Sequence, residues 1–291
     1  EIRNSSGDNM ERFVQRLDKA KKAIDEADYI LIGAGAGLST AAGIDYGGER
    51  FKSYFEDFIE KYNFTDMYTS GFYPFETPEE KWAYWARHIH ANRYDVGKTQ
   101  VYQKLLKLVE NKDYFVITTN VEHQFWINGF EDERIFATQG DYGLLQCSKP
   151  CHDRLYDNED WVKECLENTE DCRIPSNLVP KCPVCGEDME TNLRADDRFV
   201  EDEKWNVMKD NYMEFLEKIQ GKKVVFLEIG VGYNTPVIIR FPFERMTYHN
   251  PDATLIRLNL DYPQPTKENM EKTIGFDESV EEILDYWNSR I

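Results

Sequence analysis

Leu31-Ile32-Gly33-Ala34-Gly35-Ala36-Gly37-Leu38-Ser39-Thr40-Ala41-Ala42-Gly43-Ile44-Asp45 is the stretch on which the fold turns. Glycines alternate with alanines directly after the apolar run Tyr29–Ile32, and a small-residue helix start follows. Glycine lets backbone approach a ligand closely, and N–H groups at a helix start attract anions. At the first strand-to-helix turn of a Rossmann-like sheet, this is how a dinucleotide pyrophosphate is held. The spacing is G-x-G-x-G and not G-x-G-x-x-G, because position 38 is leucine. A glycine turn that only packs a helix on a sheet would look the same, so the stretch alone leaves both readings open.

Upstream, Met10, Phe13, Val14, Leu17, Ala20 and Ile24 recur at helical spacing and predict an amphipathic helix over 9–26. It leads into a strand over 28–32. Downstream, the aromatic-rich segment 46–94 predicts inserted helices with an aromatic core, the clearest over 79–93. A helix over 99–110 precedes a strand over 114–118, which ends in Thr118-Thr119-Asn120-Val121-Glu122-His123-Gln124. A third strand over 134–137 ends in Thr138-Gln139-Gly140-Asp141. Further on come a helix over 203–220 and a strand over 223–229 ending in Gly230-Val231-Gly232. A strand over 253–258 ending in Asn259-Leu260-Asp261 and a helix over 278–286 close the chain. This alternation predicts an α/β fold with a Rossmann-like parallel sheet, whose polar strand ends converge on a ligand. Residues 1–48, 100–146 and 221–291 form the Rossmann-like lobe in this scheme. Residues 49–99 and 147–220 form a smaller lobe of inserted helices and a cysteine module, the whole making one domain.

All six cysteines lie between 147 and 185. Cys147-x3-Cys151 and Cys182-x2-Cys185 have the short spacings of a tetrahedral zinc site with four thiolates, and Gly186 suits the turn beneath the metal. No histidine or carboxylate with an open coordination position accompanies them, so the zinc is expected to be structural. Cys165 and Cys172 are expected to be spare thiols. His152 reads either as a substitute ligand or as a loop histidine. The net charge of −19 argues against nucleic acid and anionic membrane as partners. No apolar run approaches the ~18 residues of a membrane span, and Glu1–Ser5 shows no apolar leader. A cytoplasmic location is the expectation.

Gly-Ala-Gly, Thr-x-Asn at a strand end, Gly after a third strand, four cysteines, Leu-Arg and a Gly-x-Gly strand end occur in the order found in sirtuins. In this ordered set the chain resembles the sirtuin family. The resemblance implies a Rossmann lobe, a small zinc-ribbon lobe and NAD in the cleft between them. It assigns Gly33, Ala34, Gly35, Gly37 and Ser39 to the dinucleotide, Asn120 and Glu122 to the nicotinamide-ribose end, and Gly230, Gly232 and Asn259 to the adenosine and phosphate side. Asp45 is the counterpart offered for the acid of the Ile-Pro-Asp-Phe-Arg stretch of deacylases, although Ile44-Asp45-Tyr46-Gly47-Gly48-Glu49-Arg50 departs from it. The His-Gly pair of deacylases is replaced by Gln139-Gly140. An amide side chain can hydrogen-bond a ribose hydroxyl but cannot take its proton at neutral pH.

In these substitutions the chain is most similar to the macrodomain-linked class M sirtuins. That resemblance implies NAD-dependent ADP-ribosylation of a lipoylated glycine-cleavage-H-like carrier protein. It also implies a functional link to a macrodomain hydrolase and to the oxidative stress response. Asn120, Gln139 and Arg194 fall on that group's functional trio. Two rival functions remain: a deacylase using His123 or a carboxylate as base, and a non-catalytic NAD or ADP-ribose sensor.

Overall fold

Strand β1 (Tyr29–Ala34) runs parallel between β2 (Asp113–Thr118) and β7 (Val224–Ile229), with Ile32 beside Val116 on one side and Leu227 on the other. The structure, a computed structural model, describes the backbone of residues 2–290 and the side chains of residues 7–290; those of the Glu1–Ser5 stretch lie outside it. Three further strands, β3 (Ile135–Ala137), β8 (Ala253–Leu258) and β9 (Thr273–Phe276), complete a six-stranded parallel sheet in the order β3-β2-β1-β7-β8-β9. Its central strands are almost wholly buried, as expected where helices cover both faces. The chain winds outward in opposite directions from β1 and β7, so the topological switch point lies between their carboxyl ends.

One face is covered by α1 (Ile2–Glu26), α6 (Gln100–Val109) and α11 (Val280–Asn288), through Leu17, Ile24, Leu105, Ile283 and Trp287. The other is covered by α9 (Glu203–Lys218) and α10 (Arg240–His249), where Met208, Tyr212, Phe215 and Phe243 meet Phe115, Phe136 and Phe226. Helix α9 was expected in the small lobe. It belongs to the large one, because its apolar side has Phe115 and Phe136 to bury against.

The small lobe holds a three-stranded antiparallel sheet, β5-β4-β6, formed by β4 (Gly140–Cys147), β5 (Tyr156–Asp157) and β6 (Met189–Leu193). Helices α3 (Gly48–Tyr62), α4 (Met67–Ser70), α5 (Pro78–Ile89) and α8 (Glu159–Glu167) surround an aromatic core of Phe51, Phe55, Phe58, Trp82 and Tyr84. Cys165 and Cys172 are buried in that core. The lobe begins at 140 and not at 147. Gly140, at φ 101°, turns the chain out of the large sheet to pair with Leu193, and a Cβ there would lie 1.8 Å from the carbonyl oxygen of Asn192.

The glycine stretch turns into α2 (Ala36–Ala41). Gly33 lies inside β1, where a Cβ would come within 2.5 Å of Ile239 Cγ2; its role is to let α10 pack on the sheet. Gly35 N–H donates to Ile229 O and Gly37 N–H to Gly230 O, both at 3.0 Å. Gly230 sits at φ 65°, and a Cβ on it would fall 2.4 Å from Gly37 Cα. The turns after β1 and β7 thus touch backbone to backbone. Gly230→Ala adds both left-handed strain and a clash, and is predicted to cost about 3 kcal/mol or more of stability. A lowered urea midpoint checks this; an unchanged midpoint would contradict the backbone contact.

Candidate active site

At the carboxyl ends of β1 and β2, beside α2, a cavity of about 270 Å³ is lined by Ser39, Tyr46, Asn92, Asn120 and Glu122, with Ala36, Thr40, Ile44, Thr119 and Val121. It brings together three of the residues singled out in the sequence. The backbone N–H of Asn120 donates to Thr118 Oγ1 at 3.0 Å, which fixes the turn after β2. Its side-chain Nδ2 donates to Gly35 O at 2.9 Å and towards the Tyr102 hydroxyl at 3.5 Å. With both amide protons directed at protein, Asn120 offers a ligand its carbonyl Oδ1.

Glu122 is buried, accepting hydrogen bonds from Ser39 Oγ at 2.6 Å and Tyr102 Oη at 3.1 Å. It is not a solvated acid at a helix start. Burial raises its carboxyl above the usual carboxylate range, and the bonds from Ser39 and Tyr102 only partly counter this.

The strand ends that carry Asn120 and Gln139 lie side by side, since Thr138 N–H donates to Thr118 O at 3.0 Å. Gln139 is half-buried; its Oε1 accepts from Thr138 Oγ1 at 3.3 Å, and its carbonyl accepts from Arg194 N–H at 2.9 Å. Arg194 is therefore tied to Gln139 through the backbone, at the point where β6 leaves the small sheet. Its guanidinium donates to Glu201 at 2.9 Å and lies 4.3 Å from the centroid of Phe199.

His123 occupies a left-handed backbone conformation, φ 71°, and stacks on Trp126 with ring centroids 4.4 Å apart. Its Nδ1 is paired with Asp141. Burial acts to raise the Asp141 carboxyl, but the hydrogen bond and charge of His123, with Arg93 and the Gly143 amide, hold it below the usual range. The imidazole lines a separate cleft with Trp126, Phe136 and Trp205 and does not line the Asn120 cavity. This favours packing over service as a base.

The remaining predicted positions sort by location. Asp45 is exposed and gives only its backbone carbonyl, to Arg50; it does not line the cavity, because the chain turns Tyr46 inward in its place. Asn259 ties the ends of β7 and β8 together, donating to Val231 O at 2.8 Å while its Oδ1 accepts from the amides of Asp261 and Tyr262. Gly232 faces open space in the same turn. Ala34 ends β1, and its carbonyl accepts from Thr118 Oγ1 at 2.8 Å. The amides of Gly35 and Gly37, expected to face a pyrophosphate, are instead engaged by the β7 turn. Tyr46 and Asn92 were missed: neither belongs to a spaced motif, and Tyr46 was one aromatic among many.

Cys147, Cys151, Cys182 and Cys185 place their sulfurs within 4.8 Å of one another, with Cys147–Cys185 and Cys151–Cys182 both at 3.6 Å. A tetrahedron of thiolates at ~2.3 Å from zinc sets its sulfurs about 3.8 Å apart, so the group fits zinc. His152 Nδ1 lies 3.0 Å from Cys151 Sγ, but His152 stands outside the four-donor group. Among the described residues, no helix is long and apolar enough to cross a membrane.

No family model matches the chain. A protein ADP-ribosyltransferase of Staphylococcus aureus (strain Mu50) is 38% identical over 276 residues, covering 94% of this chain and 88% of that protein. The chain belongs to the sirtuin family. Within the family it is most like the class M sirtuins, and it is an NAD-dependent protein ADP-ribosyltransferase. A probable bifunctional ADP-ribose hydrolase/ADP-ribosyltransferase of Fusarium oxysporum f. sp. cubense is 31% identical over 84% of this chain, which spans 42% of that longer protein. A Sir2 homologue in complex with NAD shares the fold at TM-score 0.60 and 15% identity, over 94% of this chain and 93% of that one. A mutant Sir2 homologue in complex with ADP-ribose shares it at TM-score 0.59 and 13% identity, over 94% and 95%.

This sirtuin keeps a buried acid at 122 whose carboxyl is raised in the folded state. A raised group favours folding while protonated: its contribution is full below the unfolded carboxyl range and is lost as pH rises through the folded value. Glu122→Gln keeps an oxygen for Ser39 and Tyr102 without the buried charge. It is predicted to raise the melting temperature at pH 7 and to flatten its decline above about pH 4.3, the unfolded value. Thermal scans across pH check this, and an unchanged profile would contradict it.

Proposed function

We propose that this sirtuin transfers ADP-ribose from NAD to a lipoylated glycine-cleavage-H-like carrier protein in the cytoplasm, releasing nicotinamide. The reading rests on Gln139, which stands on the strand end next to the one that carries Asn120, at the position where a deacylase would need a base. Transfer to a carboxylate acceptor needs none, because that acceptor is already ionised at neutral pH. Asn120 Oδ1 and the half-buried Gln139 orient the nicotinamide ribose. Fixed dipoles around the cavity stabilise the oxocarbenium character that develops as the glycosidic bond breaks. Arg194 orients the acceptor or a phosphate at the cleft mouth. Ala34, Gly35, Gly37, Ser39, Gly230, Gly232 and Asn259 shape the dinucleotide side. In our reading the four cysteines hold one structural zinc. The fungal relative's name pairs a transferase with an ADP-ribose hydrolase, which supports a functional link to a macrodomain hydrolase.

The test is the intact mass of the carrier after incubation with NAD and enzyme, with and without the lipoyl group. Addition of one ADP-ribose to the lipoylated carrier alone is the expected outcome. Loss of an acyl group would favour the deacylase, and NAD binding without any change in mass the sensor. Asn120→Ala is expected to slow transfer by about 10²–10³-fold, the cost of losing one placed dipole.

A further inference from the structure

Behind the Asn120 cavity a chain of buried side chains crosses from the large lobe to the small one. Tyr46 lines the cavity and shares a hydrogen bond with Tyr142 of β4. Tyr142 Oη lies 3.0 Å from His88 Nε2, and His88 Nδ1 lies 3.0 Å from Tyr84 Oη. Tyr84 Oη ends the chain 3.1 Å from the carbonyl oxygen of Met67. Every side chain in it has one proton or none to give, so its direction follows by counting.

Tyr84 Oη meets Met67 O in hydrogen-bonding geometry at 3.1 Å, and of the two only the Tyr84 hydroxyl has a proton to donate. Tyr84 therefore accepts from the N–H at His88 Nδ1. Burial lowers His88 to about 3, so the ring is neutral and carries that one proton only. Its Nε2 is then an acceptor, and Tyr142 must donate to it. With its proton spent, Tyr142 accepts from Tyr46. Tyr46 gives its own proton inward and has only a lone pair left for the cavity.

We infer that Tyr46 is a one-way hydrogen-bond acceptor that positions a neutral N–H or O–H donor of the bound nucleotide, its polarity set by Tyr142, His88 and Tyr84. The inference rests on the reading that NAD occupies this cavity. Two groups of NAD have the required chemistry, the carboxamide N–H and a ribose hydroxyl. The same chain cannot serve as a base: a proton taken up at Tyr46 would have to appear on His88, which burial keeps neutral. That agrees with the absence of an imidazole at Gln139.

Titration calorimetry of wild type, Tyr46→Phe and Tyr142→Phe with NAD, nicotinamide, ADP-ribose and nicotinic acid tests it. Tyr46→Phe is expected to weaken NAD about tenfold, the scale of one lost hydrogen bond. Nicotinamide weakens with it if the carboxamide is the donor, and ADP-ribose if the ribose hydroxyl is. Tyr142→Phe frees the Tyr46 proton, so nicotinic acid, whose carboxylate only accepts, should gain on nicotinamide. This ratio is insensitive to a general loss of stability. Unchanged binding of NAD by Tyr46→Phe overturns the inference alone, and so does an unchanged ratio in Tyr142→Phe where Tyr46→Phe has weakened nicotinamide. Failure of wild type to bind NAD overturns the reading of the cavity, and this inference with it.

Discussion

The close passage of two backbone turns, Gly35–Gly37 after β1 and Gly230 after β7, is what the rest of the molecule is built around. A Cβ on Gly35, Gly37 or Gly230 would occupy space already filled by main chain. The contact closes the switch point of the sheet and spends the Gly35 and Gly37 amides on carbonyls of the β7 turn. It also fixes where α2 begins, and with it Ser39, Asn120 and the carboxylate of Glu122. Glycine serves here to bring chain against chain, and the ligand cavity is a consequence of that packing.

The second constraint is Gly140. A left-handed residue directly after Gln139 swings the chain from the parallel sheet into the antiparallel one, so Gln139 sits at the junction between lobes. Arg194 is drawn to the same point by its backbone bond to Gln139. His88 and Tyr142 then reach the cavity from the small lobe through Tyr46, which gives both lobes a share in one site.

The strand ends were legible because each polar residue lies within a few positions of an apolar run: Asn120 and Glu122 after β2, Gln139 after β3, Asn259 after β8. The cysteine module was legible from spacing. Other features depend on partners far along the chain. Gly33 looked like part of a phosphate turn, yet Ile239 and Phe243 explain it. Strand β9 escaped notice because Thr273-Ile274-Gly275-Phe276 is short and broken by a glycine that lets Pro263 approach. Helix α9 follows the cysteine module in sequence but finds its apolar surface on Phe115 and Phe136. The Tyr46–Tyr142 bond joins residues 96 positions apart, and no local pattern marks either.

A crystal structure of the protein with intact NAD bound is the most direct measurement. The nicotinamide riboside should occupy the cavity between α2 and Asn120–Glu122, with the Gln139 amide at the ribose hydroxyls and no imidazole within hydrogen-bonding reach of them. A dinucleotide seated elsewhere, or His123 swung away from Asp141 onto the ribose, would contradict transfer without a base.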